Sequence, residues 1–404
     1  VLLKKLLKNK KIQLEKEDTM KKCVIVAYGR SAIGKAGKGS LAFTNPVEYG
    51  AEVLNGVLAK VPTLDPAAID DVIVGCAIPE GQMGLNPARN IILRAQLPDS
   101  IPGQTVNRFC ASGIQTIALG ASMIMSGLQE VVVAGGVESM SCPVLSSNEE
   151  YLDPWLTDHT ECYVPMGITA ENVATKYGIS REVMEQMAVE SHQKAAEAIE
   201  NGWFDAEIIP VTGYTESGEK IRLTRDECVR KGTNAEKLKT LKPCFMEDGL
   251  VTAATSSQRS DGAAFAVLMS EEKAKELNLT PLASFVSFAV TGLDPAYMGM
   301  GPVTAVEKVM KQTGLSVKDM DVIELNEAFA SQALAVMDEL GVDKGKVNPR
   351  GGALAMGHPL GATGAILLSK ALNYLTTTGG TYGLITMCIG GGMGAACIIQ
   401  LEKI

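Results

Sequence analysis

No stretch of this chain is apolar for the ~20 residues that a membrane-crossing helix needs, so no spanning segment is expected. Its nine cysteines contain no Cys-x-x-Cys pair and follow no framework spacing, which argues against a zinc ribbon and against a disulfide scaffold. Positive charge is in short supply. Lys and Arg number 37 against 46 Asp and Glu, and a net charge of -9 disfavours non-specific binding to nucleic acid or membrane. These features point to a reducing, cytoplasmic setting. Histidine is scarce at three residues, so each one carries information. His159-x-x-Cys162 has metal-like spacing but no partner pair, so no metal site is expected. His159 and His192 read as surface residues, the latter on a solvated helix face.

What is present describes an ordinary globular protein. Apolar residues make up 46% and charged residues 21% of a chain whose 404 residues suffice for two or three domains. The 41 glycines gather at turns and form no repeat. Val1–Thr19 is rich in Leu and Lys and lacks the Arg and Ser of a transit peptide. It reads as an extension, a short amphipathic helix at most, ahead of a fold that starts near Met20.

From residue 20 to about 140 strands and helices alternate. Cys23–Ala27, Asp71–Gly75 and Val131–Ala134 read as strands and Val47–Leu58 as a helix, which predicts a sheet covered by helices. From about residue 280 the order returns, with a helix over Pro302–Gln312, a strand over Asp321–Leu325, a helix over Gly361–Leu375 and a strand over Tyr382–Met387. Pro46-Val…Ile-Asp-Asp-Val and Pro302-Val…Met-Asp-Val are the most nearly superposable pieces, a faint duplication of two domain-sized copies. Two halves packed face to face leave a cleft for a site. Between them, residues 141–250 are less regular. They hold one clear helix, Arg181–Glu200, with Ser180 as N-cap and Gly202 beyond its end. They also hold a basic stretch from Arg222 to Lys242, readable either as a solvated face or as a dock for phosphates.

Four stretches end strands or helices with chemistry-bearing residues. In Gln104-Thr-Val-Asn-Arg-Phe-Cys110-Ala-Ser-Gly113, Thr105–Val106 reads as a short buried strand and Ser112 or Gly113 opens a helix closed by Gly127. A thiol at such a turn lies near the positive end of a helix dipole, which favours thiolate. A core cysteine is the commoner fate of such a residue, but the company reverses that reading. Glu324-Leu-Asn326-Glu-Ala-Phe-Ala330 ends a buried strand in polar residues. Gly351–Gly361 frames His358 with glycines, and Met387-Cys388-Ile-Gly390-Gly-Gly-Met-Gly394 puts a second thiol at a glycine hairpin. Neither this hairpin nor Gly34–Ser40 has the order of a nucleotide loop. Two thiols, an imidazole and an amide suit acyl transfer from a thioester such as acyl-CoA, so the residues point to a cysteine-dependent acyltransferase.

In combination and in this order, these stretches resemble the thiolase family, over the chain from about Met20 to its C-terminus. The resemblance implies an α/β fold, a duplicated five-layer α-β-α-β-α arrangement with an inserted loop domain that covers coenzyme A. It divides the chain into an extension at 1–19, an N-terminal domain at 20–140 plus 251–271, a loop domain at 141–250 and a C-terminal domain at 272–404. It implies that Cys110 is acylated, that His358 activates it and that Cys388 is the acid/base at the substrate α-carbon. Asn326 would hold a water that forms one oxyanion hole with His358, and the backbone N–H groups of Cys110 and Gly390 would form the other. Arg230, Ser257, Met166 and Met298 would contact substrate or coenzyme A, which is substrate and not resident cofactor. A homodimer or homotetramer is implied as well.

Departures from the family pattern at Ala254-Thr255 and at Arg350 lie near the site and bear on substrate preference. Pro165, standing where acetoacetyl-specific members carry His, leans toward 3-ketoacyl-CoA substrates of greater length. The alternative is an acetoacetyl-CoA-specific acetyltransferase. Related condensing synthases lack the second cysteine in a Cys-x-Gly-Gly-Gly setting, and a silent CoA-binding protein would not need all four catalytic positions filled.

Overall fold

The computed structural model describes residues 20–142 and 152–402. The expected extension at Val1–Thr19 lies outside them, as does part of the inserted region. In the N-terminal half, strand β1 (Cys23–Arg30) leads to the short β2 (Gly34–Lys35), helix α1 (Pro46–Leu58), β3 (Asp71–Gly75), α2 (Pro87–Arg94), β4 (Gly103–Val106), α3 (Ser112–Met125) and β5 (Val131–Ser139). The inserted region carries α4 (Met166–Lys176), α5 (Arg181–Glu200) and the hairpin of β6 (Val211–Tyr214) and β7 (Lys220–Leu223). Then come β8 (Ser260–Ser270), β9 (Ala283–Gly292), α6 (Gly301–Thr313), β10 (Val322–Leu325), α7 (Ala330–Leu340), α8 (Leu360–Thr378), β11 (Tyr382–Ile389) and β12 (Met393–Leu401).

The main sheet runs β10-β11-β12-β9-β1-β8-β5-β3-β4. Outward from its centre, β1-β8-β5-β3-β4 and β9-β12-β11-β10 repeat one topology, joined where β1 meets β9 over only Val24 and Ile25. A parallel bridge from Ile323 to Val347 stands where the second half would have its counterpart of β4. The duplication extends to side chains. Asp70 accepts the N–H groups of Glu130 and Val131, and Asp321 those of Thr381 and Tyr382, so one carboxylate in each half pins the start of the following strand.

Strand alternation sorts side chains into layers. In β12, Ala395, Cys397 and Ile399 join a core between the halves, whereas Ala396 and Ile398 face an outer core. In β1 a bulge between Ile25 and Ala27 switches that alternation, so Ala27 follows Val26 into the outer core and Tyr28 returns to the middle one. The helices α3 and α8 fill the middle layer, α1 and α2 cover one outer face, and α6 and α7 the other. This is the five-layer arrangement. Because α8 meets protein on nearly all sides, 14 of its 19 residues are buried, unlike an amphipathic surface helix.

Three local expectations change. Thr105–Val106 is only half-buried, because β4 ends the sheet path and pairs only with β3 among the described residues. His192 is buried, not solvated: the Nδ1 atom accepts the backbone N–H of Arg230, and Ser191 beside it donates to Glu327. Ser180 occupies the N-cap position of α5, yet its side chain makes no capping hydrogen bond. His159 is exposed as expected.

The inserted region is clamped to both halves by buried ions. Arg30 donates to Glu207 and to both oxygens of Asp226 at 2.7–3.0 Å, and Asn373 of α8 donates to Glu207 at 2.8 Å. Removing one member of such a network strands a buried charge, at a cost of about 3–5 kcal/mol. The basic stretch is largely a solvated face, and three of its charges are paired, Arg222 with Glu52, Lys231 with Glu200 and Lys239 with Glu236.

Candidate active site

Cys110 lies in a short 3-10 turn, Phe109–Ala111, directly ahead of α3. Phe109 adopts φ 45°, a left-handed conformation that costs a bulky residue energy and so has to be held. Asn107 Oδ1 accepts the Phe109 N–H at 2.8 Å, and Ser112 Oγ donates to the Phe109 carbonyl at 2.7 Å. The turn thereby raises the thiol into a cavity of about 400 Å³ between the halves. Cys110, His358, Cys388, Met166, Met298 and Ser257 all line it, with Pro165, Phe245, Phe329 and Leu360 supplying much of its apolar wall.

His358 reaches the cavity from the loop before α8. Its Nδ1 lies 2.6 Å from Thr363 Oγ1, and that hydroxyl donates its only proton to the Pro359 carbonyl at 2.9 Å. With that proton on Pro359 the Thr363 oxygen accepts from Nδ1–H, the tautomer that leaves Nε2 unprotonated and able to accept. Asn326 Nδ2 donates to Nε2 at 3.3 Å, while Asn326 Oδ1 is buried with no hydrogen-bond partner among the described residues. Cys388 is buried near the end of β11, and the turn at Gly390–Gly392 directs the Gly390 N–H at the Cys110 sulfur. Gly391 and Gly392 at φ +80° make that tight hairpin possible.

Electrostatics weigh against the expectation of a resting thiolate. Burial pushes the Cys110 thiol up to about 11, outweighing the pull of the Gly390 N–H and its own. Burial also raises the Cys388 thiol, with Cys110 adding to it, and pushes the His358 imidazole down to about 4. The short turn at Cys110 has less reach than a helix dipole, and the apolar wall of the cavity disfavours charge. Both shifts favour a neutral thiol and a neutral imidazole at neutral pH.

Arg230 does not line the cavity. It is exposed beside it, and its guanidinium donates to Gln258 Oε1 at 3.2 Å, while the Gln258 carbonyl accepts the His358 backbone N–H at 3.0 Å. Thr255 is buried, and its carbonyl accepts the Ala330 N–H beside the Asn326 loop. Arg350 turns away from the cavity: its guanidinium stacks between Trp203 and Tyr374 at 5.3 Å from each ring and donates to Thr377. It fastens the inserted region to α8. The sequence reading gave no part in the site's geometry to Thr363, Gln258 or Phe245. Only the five-residue step from His358 to Thr363, one helical turn into α8, was available as a local signal.

A duplicated α/β fold with paired thiols, an imidazole and a carboxamide around one apolar cavity defines a cysteine-bearing acyltransferase. The comparisons specify which kind. The thiolase N-terminal domain matches residues 23–272 and the thiolase C-terminal domain residues 279–401, and the chain belongs to the thiolase family. A 3-ketoacyl-CoA thiolase of Bacillus subtilis is 48% identical over 391 residues, 95% of this chain and 100% of that protein. An acetyl-CoA acetyltransferase of Escherichia coli is 43% identical over 94% of this chain and 99% of its own length. The crystal structure of the Bacillus anthracis acetyl-CoA acetyltransferase superposes with a TM-score of 0.88 at 40% identity, covering 95% of this chain and 100% of that one. That of human mitochondrial 3-ketoacyl-CoA thiolase gives 0.86 at 38%, covering 95% and 99%.

Proposed function

We propose that this thiolase cleaves 3-ketoacyl-CoA with coenzyme A, and runs the reverse condensation, through an acyl-Cys110 intermediate. The observation that carries the reading is the convergence of Cys110, His358 and Cys388 on one apolar cavity, with the His358 Nε2 lone pair left unprotonated. His358 takes the proton of Cys110 as the sulfur attacks the thioester or ketone carbonyl. The N–H groups of Cys110 and Gly390 meet the oxyanion that forms there. Cys388 gives a proton to the departing α-carbon, or removes one in the condensation direction. Asn326 Oδ1 is free to hold the water that, with protonated Nε2, stabilises the enolate oxygen.

Met166, Met298 and Ser257 line the passage for the pantetheine arm, and Arg230 at its rim suits the phosphates of coenzyme A. Coenzyme A is thus substrate, and no resident cofactor enters the reaction. The domain division at 20–140 plus 251–271, 141–250 and 272–404 fits this reading, with the inserted region forming part of the cavity wall through Pro165, Met166 and Phe245. A homodimer or homotetramer in the cytoplasm is proposed with it, one side of β4 pairing with no strand among the described residues. A second reading, an acetoacetyl-CoA-specific acetyltransferase, has the name of the Escherichia coli relative in its favour. Acyl-enzyme formation is tested by mass spectrometry after acetyl-CoA treatment. An adduct on the Cys110 peptide, absent from Cys110→Ala, is expected, and an adduct found only elsewhere refutes the assignment.

A further inference from the structure

Glu138, the last residue but one of β5, has a side chain that is fully buried and makes no ion pair among the described residues. Its Oε2 accepts two backbone N–H groups, from Ala77 and from Gly361, each at 2.8 Å, and Cys76 Sγ lies 3.5 Å from Oε1. These contacts belong to opposite halves of the molecule. Ala77 follows β3, and Gly361 is the second residue of α8.

Each contact continues to one member of the reacting pair. From Ala77 the carbonyl accepts from Asn107 Nδ2 at 2.9 Å, and Asn107 Oδ1 holds the N–H of the strained Phe109 that precedes Cys110. From Gly361 the first turn of α8 runs to Pro359, whose carbonyl takes the Thr363 hydroxyl that orients His358. Packing leaves this junction no slack. A Cβ at Gly361 would lie 2.6 Å from Cys76 Cα and 2.9 Å from Glu138 Oε2, and one at Gly136 would lie 2.0 Å from the Gly361 carbonyl oxygen.

We propose that Glu138 is a positioning residue: one carboxylate oxygen, shared between the halves, sets the separation of the Cys110 sulfur and the His358 imidazole. It touches no reacting atom. The proposal rests on the reading of Cys110 and His358 as the reacting pair, and geometry at such a pair is worth much, since an error near 1 Å costs on the order of a hundredfold. Burying a carboxylate without a cation is expensive for stability alone, whereas two N–H donors from different halves on one oxygen make a rigid three-way joint.

The test compares Glu138→Ala, Glu138→Gln and Asn107→Ala in the full-length protein. Glu138→Ala is expected to lower kcat about a hundredfold with KM for both substrates within about threefold, because the cavity that binds them is untouched. Glu138→Gln keeps an oxygen able to accept both N–H groups and should recover kcat to within about tenfold of wild type. Asn107→Ala cuts one arm and should lose at least about tenfold in kcat, and combining it with Glu138→Ala should cost little more, since both act through one chain. Folded Glu138→Ala with wild-type kcat overturns the proposal, as does a parallel collapse of kcat and KM. Should Glu138→Ala fail to fold, Glu138→Gln with kcat lowered about a hundredfold or more, or Asn107→Ala with wild-type kcat, overturns it. Acetyl labelling followed by peptide mass spectrometry accompanies each variant. Label missing from Cys110 in the wild type rejects the underlying assignment, whereas label on Cys110 at the wild-type rate in Glu138→Ala rejects only the joint.

Discussion

Replacing His358 by Ala should change the pH dependence of Cys110 alkylation, and the two perturbed groups predict how. A thiol held at about 11 is ionised to roughly one part in ten thousand at pH 7, so free thiolate alone would react slowly. In the wild type the neutral imidazole stands ready to take the proton as sulfur attacks iodoacetamide. Burial holds that imidazole at about 4, so its basic form persists down to that pH. The wild-type rate should therefore be nearly flat from about pH 5 to 9, and fall only as pH drops through about 4 and Nε2 becomes protonated. Without the imidazole the rate should follow the thiolate, rising about tenfold per pH step toward 11. At pH 7 it should lie two to four powers of ten, roughly, below the wild type. The assay is stopped-time alkylation with quantitation of the Cys110 peptide. A plateau preserved in His358→Ala would show that the imidazole is not coupled to the thiol. A wild-type midpoint between about 6 and 9 would show a resting thiolate–imidazolium pair and refute the neutral site.

Cys388→Ala should leave acyl-enzyme formation intact while thiolysis and condensation fall by about three or more powers of ten, since only the α-carbon step loses its proton carrier; near-normal thiolysis would make Cys388 structural. With Pro165 and an apolar wall in place of an imidazole, each added methylene can contribute about 0.8 kcal/mol, so kcat/KM for 3-ketohexanoyl- and 3-ketooctanoyl-CoA should at least match that for acetoacetyl-CoA. A hundredfold drop beyond four carbons would favour the acetoacetyl-specific alternative. His192 and His358 are both buried and both held at about 4 against 6.5 when unfolded, so between those values the unfolded chain binds more protons and stability falls as pH falls. Each contributes a loss of about 3 kcal/mol across that window. Urea unfolding at pH 7 and pH 4.5 should show a smaller loss in His192→Gln, and equal losses would refute the titration.

The layer order was legible because strand and helix periods alternate along the chain, and because Ile-Asp-Asp-Val and Met-Asp-Val recur at equivalent places. The reacting groups were legible because each ends an element in residues unlike their surroundings, as Asn326 does after Ile-Glu-Leu and His358 does among glycines. What could not be read depends on the other half of the molecule. His192 is buried only because Arg230 and Glu327 close over its helix. The Arg350 guanidinium is drawn off the cavity only because Trp203 and Tyr374 present their rings elsewhere. The same limit misled the reading of Cys110. A strand-to-turn-to-helix pattern shows that backbone N–H groups are near the sulfur but not how far the sulfur is desolvated, and here desolvation outweighs them.

That balance bears on how the site works. A resting thiolate would be stabilised in the ground state by the same N–H groups that must meet the substrate oxyanion, leaving less to gain in the transition state. Kept neutral, the thiol leaves the Gly390 and Cys110 N–H groups uncompensated until charge develops on the substrate oxygen, where a fixed dipole in an apolar cavity acts most strongly. The proton lost by sulfur then has a ready acceptor in Nε2, because the Thr363 hydroxyl has already committed its own proton to Pro359 and holds the other ring nitrogen as donor. Breaking that commitment with Thr363→Val would free the ring to adopt either tautomer. With a neutral resting pair, Thr363→Val should therefore slow acylation of Cys110 while the His358→Ala background shows no further loss.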